Sequence, residues 1–360
     1  MSNLFLHTPH IGVEEKEEVN KVLDSGMLTS GSYIAEFEQK LSIMSMCSVV
    51  LCSSGTAALH MGLHALGIEP GDEVIVPNVS FISTVNAVLY MGATPVLCEI
   101  GDPEYELSID PDKVTELITP KTKAIIVAHL FGGHGDVEKL IDIADVYGID
   151  IIEDAAQSVG CFINGEALGT FGKFGIYSFN GNKIITSGGG GALVTSDDDL
   201  SQRVRNLLNQ AKDSENQFLH NEIGYNYRIS NIHAAIGYAQ LKKLDSFIKK
   251  KRFIYNTYKK KLGTISYKKA SNYWLNVYQL EKTLPYKAEM FLALKGIQTR
   301  PLYVPFSEMK HLQRYCKGEY PVSERLYNSL LCLPSDLSLD ERDIDRVVSE
   351  INILETTSNE

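Results

Sequence analysis

From residue 48 to residue 195 the chain repeats one pattern. A short apolar, β-branched run is followed by a longer segment, most often with the spacing of an amphipathic helix. The runs are SVVLC (48–52), EVIVP (73–77), TPVLCEI (94–100), KAIIVAH (123–129), IDIIED (149–154), IYSF (176–179) and ALVT (192–195). Helices are predicted between most of them, as at Thr56–Leu66 and Val137–Tyr147. Near-continuous apolar strands separated by helices predict an α/β fold with a mixed, mostly parallel seven-stranded sheet covered on both faces. The last runs leave no room for a crossover helix, so that edge is predicted not to be purely parallel.

Residues 13–25 and 33–44 read as helices, with Glu14, Glu15, Glu17 and Glu18 suited to a first turn. After Thr195 the pattern turns helical, with one long segment over 229–262. Its lysines at 249–251 and 259–261 read as a solvated face, with an anionic-ligand site as the other reading. From 263 onward short strands, such as YWLNVYQL (273–280), mix with helices. The expected division is a large domain over 1–245 and a smaller C-terminal α+β domain over 246–360. The N-terminal segment is expected to pack on the smaller domain, and ETTSNE at the end reads as a frayed tail.

Composition narrows the classes. The 360 residues carry a formal net charge of −11, which disfavours a general affinity for nucleic acid. No apolar run approaches the roughly 20 residues that span a bilayer. The first residues lack a basic segment followed by a long apolar one, so no secretory signal is read there. The six cysteines form no CxxC pair and are expected as reduced thiols in a cytoplasmic protein.

Three stretches carry chemistry. SSGTAALHMGL (53–63) follows a strand and opens a helix. Gly55 permits a tight turn, and helix N-terminal amides with the Thr56 hydroxyl make either an anion site or an ordinary cap. The motifs GxxxxGK[ST] and GxGxxG after a strand are absent, which disfavours P-loop and nicotinamide enzymes. IIEDAAQSVG (151–160) places Asp154 at a strand's C-terminal end, where ligands bind in open parallel sheets. Asp154 is there either a helix cap or a carboxylate aimed at a cation or a protonated ring nitrogen. YSFNGNKIITSGGGG (177–191) sets Lys183 beside four glycines, which let a ligand or another segment approach closely. A lysine amine can form a Schiff base with a carbonyl cofactor. A pyridoxal phosphate enzyme needs such a lysine, a carboxylate for the ring nitrogen and a phosphate cradle. This chain supplies them in the order cradle, carboxylate, lysine.

At these residues the sequence resembles the DegT/DnrJ/EryC1/StrS family of pyridoxal-phosphate-dependent nucleotide-sugar aminotransferases, of aminotransferase fold type I. The resemblance also rests on GDEVIVPNVSFISTVNAV, GTFGKFGIYSFNGNKIITSGGGGALVT, GYNYRISNIHAAIGYAQL and GIQTRPLY, and spans nearly the whole chain. It implies pyridoxal 5′-phosphate as cofactor, with the pyridoxamine form as intermediate. It implies that Lys183 is the catalytic, Schiff-base lysine and that Asp154 pairs with the ring nitrogen. Gln157 would lie by the phenolic oxygen, Phe81 on the ring face, and Gly55, Thr56 and Ser178 at the phosphate. Asn226 would reach the phosphate from a neighbouring subunit, which implies a homodimer with shared sites. Arg228 and Arg300 are candidates for diphosphate or donor-carboxylate contacts, or else for surface or interface ion pairs.

Many family members read SFHPNK and TGEGG where this chain has SFNGNK and SGGGG, so Asn180 and Gly189 are departures. That form looks most like the 4-aminotransferases acting on UDP-4-keto-6-deoxy-N-acetylhexosamines, in amino-sugar biosynthesis for surface glycans. GDP-perosamine synthases look next closest, and a 3-keto sugar aminotransferase stays open. L-glutamate is the expected donor and a nucleotide-linked keto sugar the acceptor. No metal is expected. A sugar dehydrase or amino-acid lyase is a competing reaction class, and a catalytically idle binding subunit is a third. Segments 25–34, 210–225 and 300–311 are where sugar and nucleotide contacts are expected.

Overall fold

The computed structural model describes residues 3–101, 107–213, 218–265 and 271–357. Two helices, α1 (Val13–Ser25) and α2 (Ser32–Ser45), precede β1 (Ser48–Cys52). Then follow α3 (Gly55–Ala65), β2 (Glu73–Pro77), α4 (Ser83–Tyr90), β3 (Thr94–Cys98), α5 (Pro111–Leu117), β4 (Thr122–Ala128), α6 (Val137–Tyr147) and β5 (Asp150–Asp154). A small hairpin, β6 (Phe162–Ile163) and β7 (Glu166–Ala167), replaces a helix before β8 (Phe174–Ser178) and β9 (Gly191–Thr195).

Seven strands form the main sheet in the order β1-β9-β8-β5-β4-β2-β3. Strands β8, β5, β4, β2 and β3 pair in parallel, while β9 runs antiparallel to both β1 and β8. The expected break in parallel order is therefore one reversed strand. The reversal brings the start of β9 to the edge where β1, β5 and β8 end. The strands are almost wholly buried, as the continuous apolar runs require.

Helix α7 (Asp198–Leu208) covers β1 and β9. The long helical pattern over 229–262 resolves into α8 (Asn231–Leu241) and α9 (Leu244–Leu262), which breaks the single segment read from sequence. A second, three-stranded antiparallel sheet follows: β10 (Asn276–Gln279), β12 (Leu330–Leu333) and β11 (Arg300–Pro301), in that order. It packs with α9, α10 (Pro285–Leu294) and α12 (Glu341–Thr357) around a core that includes Ile254, Tyr258, Leu292, Leu331 and Ile351. Helix α11 (Pro321–Tyr327) lies between β11 and β12 in the chain. The N-terminal segment is stitched to this sheet: Leu4 bridges Ile297, Ser335 N–H donates to the Leu6 carbonyl, and Thr8 donates to Asp336.

One lysine departs from the expected solvated face. Lys251 on α9 is fully buried, whereas its neighbours Lys249 and Lys250 are not. Burial pushes the Lys251 pKa down to about 7, and in the protonated form all three protons have acceptors: the carbonyls of Trp274 and Ser335 and the Nδ1 of His7. Burial of a charged group is tolerated when every donor is paired. All six cysteines are free thiols. Among the described residues no helix is long and apolar enough to cross a membrane.

Candidate active site

A cavity of about 350 Å³ opens where β1, β5 and β8 end. Each wall comes from a feature already marked in the sequence. The turn Ser53–Thr56 leads from β1 into α3, and the Ser54 hydroxyl caps that helix by accepting from the Ala57 N–H at 3.0 Å. The first-turn amides of a helix have no intrahelical acceptors, and the helix dipole adds positive potential there. Gly55 sits against Ser178, with 3.1 Å between its notional Cβ and the serine Cβ. A Cβ on Gly191 would strike the Gly55 nitrogen at 2.4 Å, so the start of β9 can lie against this turn only as glycine. Gly189 faces open space.

Asp154 ends β5 and no helix follows it, so the capping alternative is excluded. Thr84 Oγ1 donates to Asp154 Oδ2 at 2.8 Å, and the Ala156 N–H approaches Oδ1 at 3.3 Å. Its neighbour Glu153 faces the other way and is fully buried. Glu153 accepts from the N–H groups of Gly169, Phe171 and Gly172 at 2.7–2.9 Å. A fourth donor is His129 Nε2 at 2.9 Å, whose Nδ1 in turn accepts from the Gly135 N–H. Glu153 thus fastens the loop after the hairpin to the end of β5, which holds Asp154 at the cavity.

Lys183 lies in the turn after β8. Its Nζ is 4.5 Å from the centre of the Trp274 ring. Burial lowers its pKa to about 8, the Asp154 charge works against that shift, and the Arg300 guanidinium adds to it. Arg300, from β11, enters the same cavity beside Tyr303, and its Nε and Nη2 have no hydrogen-bond partner. Burial raises the Tyr303 phenol to about 12.

Gly55, Thr56, Phe81, Asp154, Gln157, Ser178, Lys183 and Arg300 all line this one cavity, as do Asn180 and Gly189. Gln157 Oε1 accepts from the Phe131 N–H at 2.6 Å, which fixes its amide. Phe81 is half exposed and meets Tyr303 edge-on at 6.1 Å. Asn226 and Arg228 do not line the cavity. They are exposed on an extended segment that pairs with Cys52 and Asn209, just outside the Ser53–Thr56 turn. Residues 214–217 of the segment expected to contact sugar lie outside the described residues. Sequence reasoning missed Trp274, Asn182, Ser54 and Thr84, whereas Tyr303 falls in the segment 300–311 where sugar and nucleotide contacts are expected. Ser54 had a local signal, since serine before a helix is a frequent cap. Asn182 had its place one residue before Lys183, and Trp274 and Thr84 had no local signal, because they reach the site through tertiary packing.

Pyridoxal phosphate matches this donor set. A carbonyl-reactive amine of depressed pKa, a carboxylate, an anion-seeking helix start and a guanidinium with two unpartnered nitrogens share one cavity. The fold and the cleft define the class: a pyridoxal-phosphate-dependent aminotransferase. The chain belongs to the DegT/DnrJ/EryC1/StrS aminotransferase family, whose signature matches residues 9–352. It is 38% identical to GDP-perosamine synthase of Escherichia coli O157:H7, over 98% of each chain. It is 33% identical to UDP-N-acetyl-3-dehydro-alpha-D-glucosamine 3-aminotransferase of Acidithiobacillus ferrooxidans, over 98% of this chain and 96% of that one. Its fold matches the structure of NtdA from Bacillus subtilis with bound pyridoxamine phosphate: TM-score 0.87, 29% identity, 96% of this chain and 83% of that one.

Proposed function

We propose that the protein transfers an amino group, with L-glutamate as donor, to the C4 ketone of a GDP-linked 4-keto-6-deoxyhexose. The observation that carries the reaction class is the convergence of Lys183, Asp154 and the Ser53–Thr56 turn on one cavity. The GDP-linked sugar is favoured by the 38% identity to a GDP-perosamine synthase over the whole chain. This replaces the UDP-N-acetylhexosamine as first choice. That sugar stays the second reading, on the strength of Asn180 and Gly189 in the cavity wall.

When bound, the cofactor supplies an electrophilic carbonyl and a ring that accepts the electron pair released at the reacting carbon. The protein's residues do the rest. Lys183, with its pKa near 8, has a usable fraction of neutral amine near neutral pH, as a nucleophile and proton carrier requires. Asp154, held by Thr84, places a carboxylate at the cavity wall, where it would pair with a protonated ring nitrogen. The α3 N-terminus and Ser178, which line the cavity, would hold its phosphate. Gln157, with its amide oriented by Phe131, would lie by the ring oxygen, and Phe81 would cover a ring face. Arg300 offers unpaired nitrogens to an oxyanion of the donor or sugar.

Asn226 and Arg228 complete the site of a second copy in this reading. They are exposed on the segment whose Tyr227 carbonyl accepts from the Ser53 N–H. The functional unit is then a homodimer in the cytoplasm, and each chain has a large domain to residue 245 and a smaller one beyond it. The test is incubation of purified protein and pyridoxal phosphate with glutamate and a panel of keto sugars: GDP-linked 4-keto, UDP-linked 4-keto and UDP-linked 3-keto. The expected result is 2-oxoglutarate formed in step with a 4-amino GDP-sugar, identified by NMR. Preference for a UDP-sugar would move the reading to the second choice, and no 2-oxoglutarate with any acceptor would overturn it.

A further inference from the structure

The buried ammonium of Lys251 stands behind the reactive turn, and two paths lead from it. In one, Lys251 Nζ donates to His7 Nδ1 at 3.2 Å, and His7 Nε2–H donates to the Lys183 carbonyl at 2.9 Å. With Nδ1 accepting, the ring is neutral and Nε2 carries its proton. In the other, Lys251 Nζ donates to the Trp274 carbonyl at 2.8 Å, and the Trp274 indole N–H donates to the Asn182 carbonyl at 2.8 Å. The same indole ring lies 4.5 Å from Lys183 Nζ. The two paths end on consecutive carbonyls, those of Asn182 and Lys183. A third bond, to the Ser335 carbonyl, ties the ammonium to the loop after β12.

We propose that Lys251 is a positioning residue for Lys183, acting through His7 and Trp274 to fix the Asn182–Lys183 peptides and so the direction of the reactive amine. A peptide held at one carbonyl can still rotate about it, whereas two adjacent carbonyls held from one point cannot turn independently. The short linkage matters because reacting groups displaced by about 1 Å lose rate by up to about 100-fold. That Lys183 is the reactive group rests on the aminotransferase reading. The orientation itself does not.

The chain contains one tryptophan, Trp274, so intrinsic fluorescence reports on the indole against Lys183 without interference. Three full-length proteins decide the matter: wild type, Lys251→Met and His7→Phe. Lys251→Met keeps the aliphatic stem and removes all three donors. His7→Phe keeps a ring and cuts only the path to the Lys183 carbonyl. In cofactor-free protein, Lys251→Met is expected to red-shift Trp274 emission and to raise its quenching by acrylamide. In the loaded enzyme both variants are expected to lower kcat by about 10-fold to 100-fold, with KM for the keto sugar within about 2-fold of wild type. If Lys251→Met does not fold, His7→Phe alone decides through its kcat and KM. Lower melting temperatures with wild-type emission and wild-type kcat would reduce Lys251 to a structural role and overturn the proposal. If the wild type transfers no amino group, the functional reading fails, and emission and quenching of folded variants still decide the orientation claim.

Discussion

Thr84 stands between Ser80 and Asp154 as the middle of a buried relay. Its hydroxyl donates to Asp154 Oδ2 at 2.8 Å, and the Ser80 hydroxyl lies 2.9 Å away as the donor left to complete it. Thr84→Val keeps the shape and deletes the donor. The carboxylate then loses its side-chain anchor and Ser80 loses its acceptor. A hydrogen bond to a charged group contributes about 1.5–3 kcal/mol. Cofactor affinity, titrated by absorbance, is expected to fall by at least about 10-fold. Thr84→Ser should restore most of it.

Lys183 carries a stability cost that pH exposes. Its folded pKa, about 8, lies below the 10.5 of an unhindered lysine. Between these values the unfolded chain binds more protons, so this group makes stability rise with pH across that window. Below about pH 8 the folded state bears the full cost of the buried charge. In cofactor-free protein Lys183→Met is therefore expected to be more stable than wild type at pH 7. The gain is about 1–2 kcal/mol, smaller than complete burial would give because the side chain is partly exposed. The advantage should vanish by about pH 10.5. Urea denaturation of both proteins across this range measures it. The same variant should show no transamination.

Glu153→Gln exchanges an acceptor-only group for an amide. Four donors converge on the carboxylate. An amide nitrogen must then face the His129 and Gly169 donors or those of Phe171 and Gly172. The variant is expected to lose about 2–4 kcal/mol of stability, read by urea denaturation. It should also weaken cofactor binding, because the end of β5 is no longer pinned.

A shared site predicts complementation between defective subunits. Lys183→Ala and Asn226→Ala proteins should each be nearly inactive. Mixed, unfolded and refolded together, half of the dimers are hybrids, and each hybrid contains one site with both native residues. Activity should recover to about a quarter of wild type. No recovery, with hybrids verified by mass spectrometry, would place Asn226 in its own chain's site or in none.

The sheet was legible because buried parallel strands leave continuous apolar runs, and every run in 48–195 became a strand of it. The reversal of β9 followed from the short spacing at its flanks. The walls formed by Gly55, Thr56, Asp154, Ser178 and Lys183 were legible because each lies at or shortly after the end of a strand in a local motif. Lys251 was misread because lysine runs usually mark solvated faces, and its three acceptors come from residues 7, 274 and 335. Trp274 was invisible for the same reason. Helix periodicity across 229–262 hid a break at residues 242 and 243, where the apolar spacing continues although the axis does not. The UDP preference read from Asn180 and Gly189 rested on two cavity-wall positions, whereas the identity to a GDP-perosamine synthase spans the whole chain.

The stitching of residues 4–8 to residues 296–298, 335 and 336 also sets a timetable for synthesis. Leu6 and Thr8 must wait for partners 292 and 328 positions further along the chain before they can pair, and loop closure over such a span is slow. His7 therefore reaches its place behind the reactive turn only after Ser335 exists. The nascent chain can finish its large sheet well before that, but its amine stays unaimed until residue 335 has been made.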